Sequence, residues 1–225
     1  MTGRRRRLID TVLAQRQPDL TVLAEQLHKP RNLSAIVRTC DAVGIGEVHA
    51  VPGEAGLSVH WNTSQGAEKW VTVRSHDDLA SACDHLHQNG FQLVAAHPSE
   101  DAIDYREVDY TAPTALVVGT ELFGVSREAL ALSDRRVMIP MRGMTQSLNV
   151  SVACAIVLYE AMRQREAAGL YGESELDPGL RERLRFEWMH PAVARYCLEN
   201  GIEYPALDAD GEVVGPFPRG SGNLV

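Results

Sequence analysis

Two segments near the middle of the chain, residues 91–96 (FQLVAA) and 114–119 (TALVVG), are apolar at nearly every position instead of at alternate ones. A strand of that composition has both faces covered, and sheets covered on both faces are parallel sheets flanked by helices. The surrounding segments keep the same grammar. Residues 20–26 (LTVLAEQ), 48–51 and 136–140 (RVMIP) have strand character, whereas 8–15, 77–89, 126–132 and 148–165 have helical spacing. In RNLSAIVRTCDAVG, Leu33, Ile36, Val37 and Cys40 share one helical face, with Pro30 before the run and Gly44 stopping it. Strands alternating with helices predict an α/β fold: a mostly parallel sheet with helices on both faces. Residues 52–70 have no period and are expected to form a long surface loop.

At 225 residues the chain suits one large domain or a domain with appendages, and a composition of 44% hydrophobic and 23% charged residues excludes a wholly disordered or coiled-coil chain. Composition shifts divide it into a basic extension over 1–18, the α/β domain over 19–170 and a charged, Pro/Gly-punctuated extension over 171–225. No run approaches the roughly 18–20 apolar residues of a membrane span. Asp10 and Gln15 interrupt any signal-peptide core, so a cytoplasmic protein is expected. Cys40, Cys83, Cys154 and Cys197 form no CxxC pair and are expected to be reduced packing residues; no metal motif such as HExxH is present, and no protein-bound metal is expected. The helix over 148–165 is apolar on almost every side in its first half, which predicts burial all round. Part of that burial against a second copy makes a homodimer the economical arrangement.

Net charge is −8, yet its distribution is uneven. Residues 1–16 hold Arg4, Arg5, Arg6, Arg7 and Arg16 against Asp10, while 196–225 hold five acidic residues against Arg219. Taken alone, RRRR describes a solvated helix start.

Three segments place polar residues where a parallel sheet presents its carboxyl ends, the usual ligand side of such sheets. In the first, KPRNLSAIVRT, Asn32 is an N-cap or a site residue and Arg38 lies off the apolar stripe. In the second, GTELFGVS, Glu121 is either solvated or a hydrogen-bond acceptor, Ser126 caps the next helix, and Gly119 allows close approach of a ligand to the backbone. In the third, IPMRGMTQSLNVSVA, Gln146, Ser147 and Asn149 cluster at a helix start, more polar groups than capping needs. GIGEVHA lacks the third glycine of GxGxxG, and neither GxxxxGK[ST] nor GxSxG occurs, so dinucleotide, P-loop and hydrolase readings are disfavoured.

In order, these three segments resemble the signature motifs of the SPOUT superfamily of RNA methyltransferases, its SpoU/TrmH class in particular. HKPRNLSAIVRTCDAVG is similar to the first motif, GTELFGVSREALALSD to the second and IPMRGMTQSLNVSVACAIVLYEAMRQR to the third; RQPDLTVL and REVDYTAPT extend the likeness, and FEWMHPAVARYCLENGIEYPALDADGEV resembles a C-terminal extension of longer bacterial members. The resemblance implies a homodimeric enzyme that moves a methyl group from S-adenosyl-L-methionine to the ribose 2′-hydroxyl of guanosine 18 in the tRNA D-loop. It also implies a deep trefoil knot in the C-terminal part of the catalytic domain, an arrangement that general rules of chain connection disfavour. Carried over residue by residue, Ala96, Gly119, Ile139 and Leu148 would line the cofactor site, and Arg38, Asn32, Glu121, Ser147 and Asn149 would be catalytic. Arginine is a poor base, since guanidinium keeps its proton and has no acceptor, so Arg38 is expected to stabilise oxyanion charge and grip phosphate. The terminal extension would contact tRNA through Arg4, Arg5, Arg6, Arg7 and Arg16. Arg31, Arg142 and the AEKW of the 52–70 loop depart from the pattern. The alternatives are a ribosomal RNA ribose 2′-O-methyltransferase of the same superfamily and a non-catalytic RNA-binding module; a nicotinamide-dependent oxidoreductase is weaker still, lacking the glycine fingerprint.

Overall fold

The computed structural model describes residues 2–27, 29–53, 66–120, 122–172 and 176–214, apart from the side chain of Glu68. They fall into two compact units, Gln17–Tyr171 and a second that joins Met1–Arg16 to Gly172–Val225.

The larger unit is a parallel α/β sheet. Its strands are β1 (Leu20–Glu25), β2 (Glu47–Val51), β3 (Thr72–Ser75), β4 (Gln92–Ala96), β5 (Ile103–Asp104), β6 (Thr114–Val118) and β7 (Arg135–Met138), hydrogen-bonded in the order β3-β2-β1-β6-β4-β7-β5. Every pairing is parallel. On one face Val22, Val94, Leu116 and Val118 pack with Leu33, Ile36, Val37 and Cys40 of α2 (Pro30–Ala42) and with Cys154, Val157 and Leu158 of α5 (Val150–Ala167). On the other, Leu23, Leu93, Ala95 and Val117 pack with α3 (Leu79–Gln88) and α4 (Arg127–Leu132). Successive strand residues thus enter opposite cores, which is why the central strands are apolar throughout. Each fully buried Val or Leu contributes about 1.5–3 kcal/mol.

Local chemistry sets the helix ends. Pro30 occupies the first turn of α2, and Asp78, Ser126 and Asn149 cap α3, α4 and α5 by accepting backbone N–H groups from Ser81, Ala129 and Ser151. Gly44 ends the α2 turn at φ 88°. Two strands had no sequence signal: β3 is short, mostly exposed and polar, and β5 has two residues. Both lie at sheet edges, where the neighbouring backbone supplies pairing without demanding an apolar run. Of the expected 52–70 loop, residues 67–69 form a single 3₁₀ turn and residues 54–65 lie outside the described residues.

α5 corrects one expectation. Cys154, Val157, Leu158 and Ala161 are buried, but Val152 and Tyr159 on another side are 46% and 49% exposed, so one chain does not bury the helix all round. Its far end is anchored by Arg165, whose buried guanidinium donates to Gln17 Oε1 (2.7 Å), to the Tyr110 carbonyl (3.0 Å) and to Asp19. All four cysteines are buried free thiols, and burial pushes Cys83 up to about 11 and Cys154 up to about 12, which keeps both protonated packing groups. No helix among the described residues is long and apolar enough to cross a membrane.

The terminal unit holds α1 (Gly3–Ala14), α6 (Pro178–Met189) and α7 (Pro191–Asn200), with α1 packed on α6. Arg185 donates to Asp10 Oδ1 at 2.7 Å, and Arg6 to the Ala209 carbonyl at 2.9 Å. The sequence treats 1–18 and 171–225 as separate extensions. In the fold, residues 1–16 and 172–225 form one unit, because an isolated amphipathic helix cannot bury Ile9 and Leu13 by itself.

Candidate functional site

Beyond the carboxyl ends of β4, β6 and β7 lies a cavity of about 700 Å³. Most of its lining comes from residues 96–98 at the end of β4, from 118–120 and 122–124 at the end of β6, and from residues of β7, the segment after it and the start of α5, with Lys29 beside them. Ala96, Gly119, Ile139 and Leu148, the four residues expected at a cofactor, all line it, as do Ser147 and Asn149. Such a volume, lined by apolar residues with a few polar ones among them, suits a nucleoside-sized ligand.

The β6 wall shows why Gly119 is glycine. A Cβ there would stand 2.0 Å from the Gly124 carbonyl oxygen and 2.4 Å from Val125 Cα. The chain's own backbone therefore already requires glycine here, a reason the sequence does not show, and Gly119 also lines the cavity. Thr120 and Gly124 exchange two backbone hydrogen bonds of 2.8 and 2.9 Å, and the Thr120 hydroxyl accepts from the Phe123 N–H. Buried Glu25, at the end of β1, accepts the Ser126 N–H at 3.0 Å and pins the loop's far end. Glu25 was missed in the sequence because a lone acid closing a strand carries no local signal. At the loop tip, Leu122 and Phe123 are 81% and 83% exposed. Glu121 lies outside the described residues.

The β7 wall leads into α5. Thr145 donates to the Ser147 carbonyl at 3.0 Å, and Asn149 caps the helix. Asn149 Nδ2 also donates to Asn32 Oδ1 at 3.3 Å, joining the first and third motifs, 117 residues apart. Asn32 is buried on the first turn of α2, a helical position and not the N-cap, which is Lys29. Arg38, two turns on, is exposed, lines no part of the cavity, and has no hydrogen-bond or ion-pair partner among the described residues. Sequence reasoning overlooked His97, Pro98 and Lys29 at the cavity. His97 and Pro98 directly follow a buried strand, so the strand-end rule would have found them.

The terminal arginines divide. Arg4, Arg5 and Arg7 are exposed on the first turns of α1, while Arg6 is partly covered by its contacts with Ala209 and Asp210. Arg16 is 2% exposed, with its guanidinium 5.2 Å from the centre of the Trp188 ring. It is a packed cation and does not present itself to RNA, contrary to expectation; a planar guanidinium stacks well on an aromatic face.

Sheet, strand-end cavity and motif pairing define an α/β protein with a nucleoside-sized cavity at its strand ends. The family model for the SpoU rRNA Methylase family matches residues 19–159, and that for the SpoU, rRNA methylase, C-terminal family matches 163–216. The chain belongs to the SpoU rRNA methylase family. It is 55% identical over 188 residues to a tRNA (guanosine(18)-2'-O)-methyltransferase of Thermus thermophilus, covering 84% of this chain and 97% of that one. An Escherichia coli protein of the same name is 48% identical over 204 residues, covering 90% and 89%. Among solved structures, the A. aeolicus TrmH/SpoU tRNA modifying enzyme superposes with a TM-score of 0.78 at 42% identity, covering 84% and 97%. The SpoU methyltransferase AviRb from Streptomyces viridochromogenes in complex with AdoMet gives 0.61 at 28%, covering 67% and 62%.

Proposed function

We propose that this protein is an S-adenosyl-L-methionine-dependent methyltransferase acting on the ribose 2′-hydroxyl of guanosine 18 in the tRNA D-loop. One observation carries the reading: the cavity at the β4, β6 and β7 ends is walled by the second and third motifs, and the third is hydrogen-bonded to the first. Relatives at 48–55% identity bearing that activity's name support it.

The cavity fits the cofactor. Ala96, Gly119, Ile139 and Leu148 offer backbone and apolar contact without fixed charge, as an adenine ring requires. When bound, the cofactor supplies a methyl group on a sulfonium. The rest falls to side chains. A ribose hydroxyl attacks only once its proton leaves and its oxygen is aligned. Exposed Arg38, free of internal partners among the described residues, stabilises the developing oxyanion and grips the adjacent phosphate, while Asn32 and Asn149 hold the two motif helices in register and Ser147 shapes the loop. Glu121 orients the ribose. Arg4, Arg5 and Arg7 contact the tRNA backbone. Cations at the first turn of a helix oppose its dipole, so their placement in α1 does not serve stability. The exposed Val152 and Tyr159 of α5 form part of a homodimer interface, the knot of the family ties the β7–α5 region, and the enzyme works in the cytoplasm.

The test is incubation with labelled S-adenosyl-L-methionine and unmodified tRNA transcripts, with mass-spectrometric mapping of the 2′-O-methyl group and ribosomal RNA in parallel. Methylation confined to the D-loop guanosine is expected. Transfer only to ribosomal RNA moves the target, and cofactor binding with no transfer to either overturns the reading. Arg38→Lys, which keeps charge but loses the planar fork, is expected to lower kcat about 100-fold or more.

A further inference from the structure

We infer that Ser151 is a positioning residue for this methyl transfer, holding the Asn149 side-chain amide in the orientation that donates to Asn32; the inference rests on the function proposed above. An asparagine amide has nearly isosteric ends, and a half-turn exchanges donor for acceptor. Which end faces Asn32 therefore depends on what the other end meets. Here the Ser151 N–H reaches Asn149 Oδ1 at 2.9 Å and the Ser151 hydroxyl reaches the same oxygen at 2.6 Å. A backbone N–H can only donate, so Oδ1 is the acceptor. With that oxygen already receiving a second donor from the hydroxyl, Nδ2 is left for Asn32 Oδ1, 3.3 Å away.

The chain of contacts spans the functional parts. Asn149 lines the cavity and begins α5, and Asn32 sits on the first turn of α2, the helix that carries Arg38. The Asn149–Asn32 bond is thus a side-chain tie between the cavity wall and the arginine helix. Ser151 is not among the residues that line the cavity and reaches the site through Asn149. Helix capping does not need its hydroxyl, because the N–H of residue 151 satisfies the cap whatever the side chain. A flipped amide would set its NH₂ group against the Ser151 backbone N–H and face oxygen with oxygen at Asn32. The hydroxyl, which can donate or accept, does not choose the orientation; its 2.6 Å bond fixes where the amide oxygen lies and so holds Nδ2 within reach of Asn32.

The measurement is steady-state kinetics on tRNA for wild type, Ser151→Ala, Ser151→Thr, Asn149→Ala and the Ser151→Ala/Asn149→Ala double variant, with melting temperature and cofactor affinity for each. Loss of one such hydrogen bond corresponds to a fall of about fivefold to tenfold in kcat for Ser151→Ala. KM for tRNA, cofactor affinity and melting temperature should stay at wild-type values, Ser151→Thr should restore kcat, and the double variant should be no slower than Asn149→Ala alone. Wild-type kcat in Ser151→Ala, additive losses in the double variant, or loss of activity in step with melting temperature overturns the positioning role. Wild type in the same assay separates the two ideas: transfer by wild type with an unaffected Ser151→Ala overturns the positioning role alone, whereas no transfer by wild type overturns both.

Discussion

Two places along the sheet make opposite use of their side chains. At the β4, β6 and β7 ends, amide, hydroxyl and carboxylate side chains brace the loops by hydrogen bonds around an open cavity. Along the β2–β3 edge, three imidazoles pack together instead: His49 on β2, His76 just after β3 and His85 on α3, with ring centres 5.1–5.5 Å apart. His49 Nδ1 and His76 Nε2 share a hydrogen bond of 2.8 Å. Burial pushes His49 down to about 4 and lowers His76 as well, against the pull of Glu47, which is itself held by Arg74 at 2.8 Å. Displaced titration often marks a functional site. Here it marks a packed edge, and the proposed chemistry sits where the main chain crowds itself. Desolvation shifts a pKa wherever an imidazole is buried, whereas a ligand cavity needs open volume and unspent hydrogen-bonding groups.

The largest effect expected is at Gly119. A methyl group 2.0 Å from a carbonyl oxygen forces the 119–125 loop apart, so Gly119→Ala should destabilise the protein by about 3 kcal/mol or more and abolish methyl transfer, read by thermal melting and the tRNA assay. A Gly119→Ala variant with wild-type melting would break the contrast, since crowding would then not define the cavity wall.

The histidine edge should speak through pH. Because the folded pKa of His49 lies below its unfolded value, the unfolded chain binds more protons between about pH 6.5 and 4. Stability is therefore fully present above that window and declines as pH falls through it, by on the order of 1–3 kcal/mol. Asp77 and Glu47 oppose the decline and Arg74 adds to it. Urea unfolding at pH 7.5 and 5 should show the loss, and His49→Gln should flatten it without altering the pH profile of methyl transfer. A changed activity profile would join the two regions that the structure keeps apart.

A smaller pair of effects extends the contrast to the terminal unit. Arg16→Ala should lower stability by about 1–2 kcal/mol through the lost Trp188 contact and leave the salt dependence of tRNA binding alone. Replacing Arg4, Arg5 and Arg7 together should do the reverse, reducing the slope of log K against log salt by about 2–3. Smallest is the capping pair: Ser126→Ala beside the cavity and Asp78→Ala at the histidine edge should each cost about 1 kcal/mol by chemical denaturation. Equal costs would show that caps do not distinguish the two regions.

Much of this was legible in advance. Segments 91–96 and 114–119 announced a covered parallel sheet because burial on both faces requires apolar residues at every position, and Pro30, Gly44 and Ser126 announced helix ends by chemistry that acts within one turn. β3 and β5 were not legible, since edge pairing asks little of side chains. The four cavity residues were found through motif resemblance, while His97 and Lys29 went unnoticed beside them.

What the sequence by itself determined is the alternation of strands and helices, the caps and the polar clusters at strand ends, all written in neighbouring residues whose spacing matches one local period. Only the tertiary structure decided that Gly119 yields to the backbone of residues 124–125, that Asn149 reaches Asn32 across 117 residues, and that Arg16 is packed against Trp188 while Arg4, Arg5 and Arg7 remain in solvent. Those contacts depend on strand order and helix packing, which place residues distant along the chain side by side, and no local pattern records which distant residue will arrive.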